Sequence, residues 1–185
     1  MAPPFRLYLI RHGRPSASFA DEVDPGLDKI GHNQAQAVAE ELSSLGPLPV
    51  ITSPLKRTRE TAAPFEARWK VTARVESRIA EIPSPSQNLE ERAAWLEQAL
   101  RGRWSDLPSE YQTWRDRLLQ CLVAGQTSIV MTTHFVVINA AVGVATGDDR
   151  LVCFEPDHCS CTILDVIDGS LCMVSLGRQR PTQLR

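Results

Sequence analysis

No stretch of this 185-residue chain is apolar for long enough to cross a bilayer. A membrane-spanning helix is therefore not expected. The opening residues, Met1-Ala2-Pro3-Pro4-Phe5, lack the basic-then-apolar order of a signal peptide. Charge imbalance is also missing: 20 Lys and Arg stand against 22 Asp and Glu, a formal net charge of -2. Nucleic-acid binders usually carry a basic face, so no nucleic-acid partner is expected. An anionic substrate must instead be held by a local cluster of Arg and His. There is no disulfide framework either. The five cysteines (Cys121, Cys153, Cys159, Cys161 and Cys172) are an odd number, and reduced thiols in a cytoplasmic protein are the simplest reading. Cys153, His158, Cys159 and Cys161 lie close enough in sequence to suggest metal ligands. However, Cys159 and Cys161 fall in an alternating strand pattern that turns both into the core, so no metal site is expected. Internal repeats and low-complexity segments are absent.

What is present suits one globular domain over residues 1–185: 43% of residues are hydrophobic and 23% charged. The apolar run Phe5 to Ile10 predicts a first, buried strand over residues 5–11. Residues 14–27 read as a loop. Asp28 is placed to cap a helix running to about Leu45, with Ile30, Ala37, Val38, Leu42 and Leu45 inward. Val50 to Thr52 is a short strand. Ser53-Pro54 then suggests a helix start, serine as cap and proline at the first helical position. Leu55, Thr58, Ala62, Phe65 and Trp69 form its buried stripe. A strand over residues 71–75 and an irregular stretch over 78–87 follow. Asn88 opens a further helix, and another carries Tyr111, Trp114, Leu118 and Leu122 inward. Trp95, Trp104 and Trp114 either cap the pocket or belong to the core, core being the simpler reading. Residues 127–133 form a central strand, and residues 135–145 a helix apolar on most faces. Residues 160–167 and 171–176 make a hairpin turning at Asp168-Gly169. Alternating strands and helices predict an α/β class, a three-layer α/β/α sandwich with a mixed, mostly parallel central sheet.

Arg11-His12-Gly13 ends the first strand, and His134 follows the central one. In open α/β sheets ligands bind at the carboxyl ends of the strands. If the two strands are neighbours, both histidines reach one crevice. Arg57 lies in the first turn of its helix, where free N–H groups and the helix dipole favour an anion. Two arginines, two histidines and a helix N-terminus thus converge on one small anion. Phosphate fits best, because guanidinium groups match its oxygens in fork geometry.

These residues sit in segments that together resemble the histidine phosphatase superfamily, also called phosphoglycerate-mutase-like. The segments are Leu7 to Gly13, Leu27 to Ala35, Thr52 to Ala62, Glu81 within Arg78-Ile79-Ala80-Glu81, and Thr132-Thr133-His134, in the family's order. The resemblance implies a phosphoglycerate-mutase-like fold and a small phosphorylated substrate. It implies His12 as the nucleophile, forming a phosphohistidine. Arg11, Arg57 and His134 would hold the phosphoryl oxygens, and Glu81 would serve as general acid and base. No metal or other cofactor is implied. Arg14, Ser18 and His158 are candidate substrate contacts, while His32 reads as structural or exposed. Phe135 stands where the family commonly has Gly, so its ring is expected either to narrow the pocket or to pack under the helix. The chain is shorter than typical mutases and departs from their pattern after Gly13. Phosphatase activity is therefore expected, with mutase-type phosphoryl transfer or a catalytically weak phosphate-binding module as the alternatives. The sequence leaves the oligomeric state open.

Overall fold

Strand β1 (Phe5–Arg11) is apolar on both faces because it lies inside the sheet. Leu7 and Leu9 turn one way, Tyr8 and Ile10 the other, and all four are buried. A strand covered on both faces reads as a continuous apolar run. The structure, a computed structural model, describes residues 3–18, 21–86 and 88–180. Met1 and Ala2 of the amino-terminal stretch, and Phe19, Ala20 and Gln87 of the two expected irregular stretches, lie outside the described residues.

The described residues form a six-stranded sheet from β1, β2 (Val50–Thr52), β3 (Arg74–Val75), β4 (Ile129–Thr133), β5 (Cys161–Ile167) and β6 (Ser170–Ser175). The spatial order is β3-β2-β4-β1-β5-β6. The β3-β2, β2-β4 and β4-β1 pairs are parallel, whereas β5 runs antiparallel to β1 and to β6. Only β5 is reversed, so the sheet is mixed and mostly parallel. Helices α1 (Lys29–Glu41) and α2 (Lys56–Trp69) cover one face. Their Val38, Phe65 and Trp69 meet Tyr8, Ile10, Val50 and Val130. On the other face lie α3 (Leu89–Ala99), α4 (Ser109–Val123) and α5 (Phe135–Thr146). There Leu96, Leu118, Leu122 and Ile138 meet Leu7, Leu9, Met131 and Leu164. The three layers are those expected. No helix among the described residues is long and apolar enough to cross a membrane.

Local chemistry sets the element ends. The Asp28 carboxylate accepts from Gly31 N (2.7 Å) and caps α1. That helix ends at Glu41 and passes into a 3₁₀ turn over Ser43–Leu45. Ile30, Ala37 and Leu45, expected inward, are exposed; the buried face is Gly31, Ala35, Val38, Ala39 and Leu42. Small residues win that face because the backbone after β1 comes very close to it. A Cβ on Gly31 would stand 2.2 Å from Arg14 O, and one on Gly13 would stand 2.6 Å from Gly31 O.

Helix α2 also starts later than expected, at Lys56 rather than Pro54. Of the backbone N–H groups at this helix start, the Ser53 hydroxyl accepts from Leu55 N (3.3 Å), while Asp24, reaching over from the loop before α1, accepts from Lys56 N (2.9 Å). Strand β3 shrinks to two residues of the expected five. Asn88 caps α3 by accepting from Glu90 N and Glu91 N. Trp104 is fully buried and stacks on Trp114 with ring centroids 5.9 Å apart, a core contact. The β5–β6 hairpin turns through Asp168 (φ 51°) and Gly169 (φ 76°), the two positive φ values a type I′ turn requires.

The close approach at Gly31 makes a prediction. Gly31→Ala should destabilise the fold by about 1–3 kcal/mol, because the methyl group meets backbone that cannot turn aside. Urea denaturation should show a lower midpoint at unchanged slope; an unchanged midpoint would mean that α1 and the Gly13 turn are not pressed together.

Candidate active site

The β1–β4 register pairs Arg11 with Thr133, so the next residues, His12 and His134, leave adjacent strands at one edge of the sheet. Backbone bonds tie the strand ends together. His12 N donates to Thr133 O (2.9 Å), Ser53 N to Thr132 O (3.1 Å) and Glu76 N to Thr52 O (2.9 Å). The His12 and His134 ring centroids are 5.4 Å apart.

His12 is buried, with Nδ1 2.9 Å from Gly13 O. A carbonyl only accepts, so Nδ1 carries the proton and Nε2 is left with its lone pair. Gly13 N donates to Thr61 Oγ1 (3.0 Å), and that hydroxyl donates to Arg57 O (2.7 Å), so α2 holds the turn behind the imidazole.

His134 is completely buried between two partners. Arg57 Nη2 lies 3.3 Å from its Nδ1, and Ser53 Oγ lies 2.7 Å from its Nε2. A guanidinium only donates, so Nδ1 accepts and the Nε2 proton goes to Ser53 Oγ. The sequence suggested Ser53 only as a helix cap. Its second task, aiming His134, depends on a residue 81 positions away.

Both guanidinium groups are buried. Arg57 has Nη1 3.7 Å from Asp24. Arg11 Nη1 donates to Pro156 O (2.7 Å), and its Cζ stands 5.0 Å over the Phe135 ring. Phe135 is buried in the layer that includes α5, so it packs inward and supports Arg11. The α2 terminus differs from expectation: Leu55 N and Lys56 N are taken by Ser53 and Asp24. The group α2 contributes beside His134 is the Arg57 side chain.

Glu81 comes from the irregular stretch. Thr133 Oγ1 donates to Ile79 O (2.8 Å) and fastens that stretch to β4. Glu81 Oε1 accepts from Ile82 N (3.0 Å) and from Val136 N (3.2 Å) in the first turn of α5. His158 also reaches the site. Its ring centroid is 5.5 Å from that of His12, and its Nδ1 is 3.1 Å from His12 O. Arg14 and Ser18 are engaged elsewhere: Arg14 Nε donates to Asp28 (2.5 Å) and the Ser18 hydroxyl donates to Asp21. His32 is exposed, 3.9 Å from Glu60. Cys159 lies just before β5 with φ 52°, not within it; Cys159 and Cys161 adjoin one apolar layer, and burial pushes both thiols up to about 12. Among the described residues no group of three or more His, Cys, Asp or Glu is placed to hold a metal.

The electrostatics follow from burial. Burial, then Arg57, hold His12 and His134 well below the ordinary imidazole range. His158 is pushed down to about 4 by burial and then by Arg11. Arg11 is pushed down to about 10 by burial, with Glu81 opposing, and stays cationic at neutral pH. Glu81 is half-buried as a residue, but burial raises its carboxyl above the usual range despite Ile82 N–H and Arg57. The site therefore offers a neutral imidazole with a bare nitrogen, two buried cations and a carboxyl whose pKa burial raises.

Known proteins share this arrangement's framework. The family model of the histidine phosphatase superfamily (branch 1) matches residues 7–178. The glucosyl-3-phosphoglycerate phosphatase of Mycobacterium tuberculosis is 32% identical over 80 residues, 41% of this chain and 36% of that protein. The match thus spans about a third of that relative's length. The solved complex of mycobacterial glucosyl-3-phosphoglycerate phosphatase with inorganic phosphate superposes with a TM-score of 0.67 at 20% identity, covering 95% of this chain and 98% of that one. A phosphoglycerate mutase from Bacillus anthracis gives 0.71 at 14% identity, covering 95% and 93%. With the family model spanning nearly the whole sheet and its site, the chain belongs to the histidine phosphatase superfamily, branch 1.

Proposed function

We propose that the protein is a phosphomonoesterase acting on a small phosphate ester through a phosphohistidine on His12, without a metal. The observation that carries this reading is the bare Nε2 of a buried, neutral His12 beside two buried guanidinium groups. In the first step the Nε2 lone pair forms a bond to phosphorus while the ester P–O bond breaks. The departing alkoxide takes the Glu81 proton. In the second step the Glu81 carboxylate takes a proton from water, the water oxygen bonds to phosphorus, and the P–N bond breaks. Arg11 and Arg57 supply the positive charge at the phosphoryl oxygens. Each such contact is worth about 2–4 kcal/mol, by analogy with one oxyanion-hole donor. Without substrate His134 holds Arg57 through Nδ1; a bound dianion favours the protonated ring, whose Nδ1–H would then give up Arg57 and donate to phosphate. The phosphatase among the relatives supports hydrolysis as the reaction.

Phosphate release from an aryl phosphate should therefore persist in EDTA, and His12→Ala should cost at least about a thousandfold in kcat. No release at any pH between about 5 and 8 would overturn the proposal.

The pH profile carries a sign. His12 must be neutral, and its lowered pKa puts the acid limb well below 6.5. Glu81 must begin protonated, so kcat/KM should fall as pH rises through its raised pKa. Glu81→Gln should abolish that alkaline fall along with most of the activity on esters of poor leaving groups.

Ser53→Ala leaves the His134 Nε2–H without its acceptor in a dry site, a loss of about 1–3 kcal/mol. Kinetics should show kcat/KM reduced by about tenfold to a hundredfold. Unchanged kinetics would mean that Ser53 does not aim the ring.

A further inference from the structure

His158 is held by more than its neighbours in sequence. Asp157 N donates to Arg178 O (2.8 Å), and Cys159 N donates to Arg11 O (2.9 Å), so the chain is pinned on both sides of it. His158 N itself donates to Asp157 Oδ1 (2.8 Å). The side chain then spends Nδ1–H on His12 O, which fixes the tautomer and leaves Nε2 as an acceptor. Nε2 has no hydrogen-bond partner among the described residues. The residue is half-buried and its ring stands 5.5 Å from the nucleophile's. A fixed, partly open acceptor thus flanks the phosphohistidine position.

The kind of group it accepts from can be narrowed by charge. The charged groups bearing on His158 are Arg11 at the end of β1, Arg14 in the turn after it, and Asp157 beside it. Burial, helped by the two arginines, keeps the ring neutral at working pH. A neutral acceptor lone pair repels phosphoryl oxygens, so Nε2 does not belong to the phosphate cage. An ammonium donor would meet the field of Arg11 and Arg57. A hydroxyl donor carries no such penalty. Resting on the phosphatase reading above, we propose that His158 reads the leaving group: its Nε2 accepts a hydrogen bond from a hydroxyl on the departing alcohol, so the site favours phosphate esters of polyols over those of simple alcohols.

Two substrates differing only in hydroxyl groups test this: glycerol 2-phosphate and isopropyl phosphate, with phenyl phosphate as the measure of basal turnover. The full chain should favour glycerol 2-phosphate in kcat/KM by about tenfold or more. His158→Asn keeps an amide N–H for His12 O. It should lower the rate on glycerol 2-phosphate at least about fivefold and leave isopropyl phosphate within about threefold. His158→Ala, with its thermal midpoint measured alongside, should likewise erase the preference. A ratio near one in the parent protein would overturn the proposal. Equal losses on both esters in His158→Asn would overturn it too, since they mark a group that positions His12 or serves water. Silence on phenyl phosphate would instead overturn the phosphatase reading and this inference with it.

Discussion

Two guanidinium groups shut away from water are the constraint on which the rest of the site depends. Arg11 is 7% exposed and Arg57 3%. Taking a cation out of water costs several kcal/mol unless something nearby offsets it. The protein supplies partial offsets: the Pro156 carbonyl on Arg11 and Asp24 at 3.7 Å from Arg57, with Glu81 adding to both whenever it is ionised. The same dry setting moves the Glu81 carboxyl and the His12 imidazole in opposite directions. Burial disfavours whichever form is charged, so the His12 pKa falls and the Glu81 pKa rises. A neutral imidazole and a carboxyl of raised pKa therefore share one site. Separate tuning of each is unnecessary, because one low-dielectric pocket sets both.

Such a pocket works only if its parts are held to fractions of an ångström. Five separate stretches of chain contribute to it. The parallel β1–β4 register puts His12 beside His134, and a slip by one residue would turn one of them to the other face. Strands alone do not finish the site. Thr61 of α2 closes on Gly13 N, Thr133 closes on the stretch that carries Glu81, and Gly31 lets α1 press against the chain behind His12. These contacts are short-range and directional, so they carry rigidity from the sheet into the loops.

Signals that live in neighbouring residues were legible in the sequence. The run Phe5 to Ile10, the Arg11-His12-Gly13 turn, Asp28 as a cap and the Asp168-Gly169 hairpin all came through intact. What escaped was decided by partners distant in the chain. Ser53 is drawn to His134, which frees Asp24 to cap α2 and moves the helix start to Lys56. Ile30 and Leu45 lie on a helical period that suits burial, but the close backbone at Gly31 rotates the buried face towards smaller residues. Glu81 sits in a stretch with no periodicity at all. Only the family resemblance singled it out there, and its place comes from β4 and the first turn of α5. His158 was visible as a residue beside a strand; the tautomer that makes it an acceptor needed the carbonyl of His12.

Phe135 shows how a departure from the family pattern can serve the same end by another route. Where the family commonly has glycine, this chain sets an aromatic ring under Arg11 at 5.0 Å from Cζ to centroid. A cation over an aromatic face gains about 0.5–2 kcal/mol, most when water is excluded. The ring thus offsets part of the cost of burying Arg11 without neutralising it. Pro156 O holds one end of the same guanidinium. The side chain leaves the α5 terminus intact, since Val136 N still donates to Glu81. A larger residue beside His134 therefore helps to shelter Arg11 while leaving its charge in place.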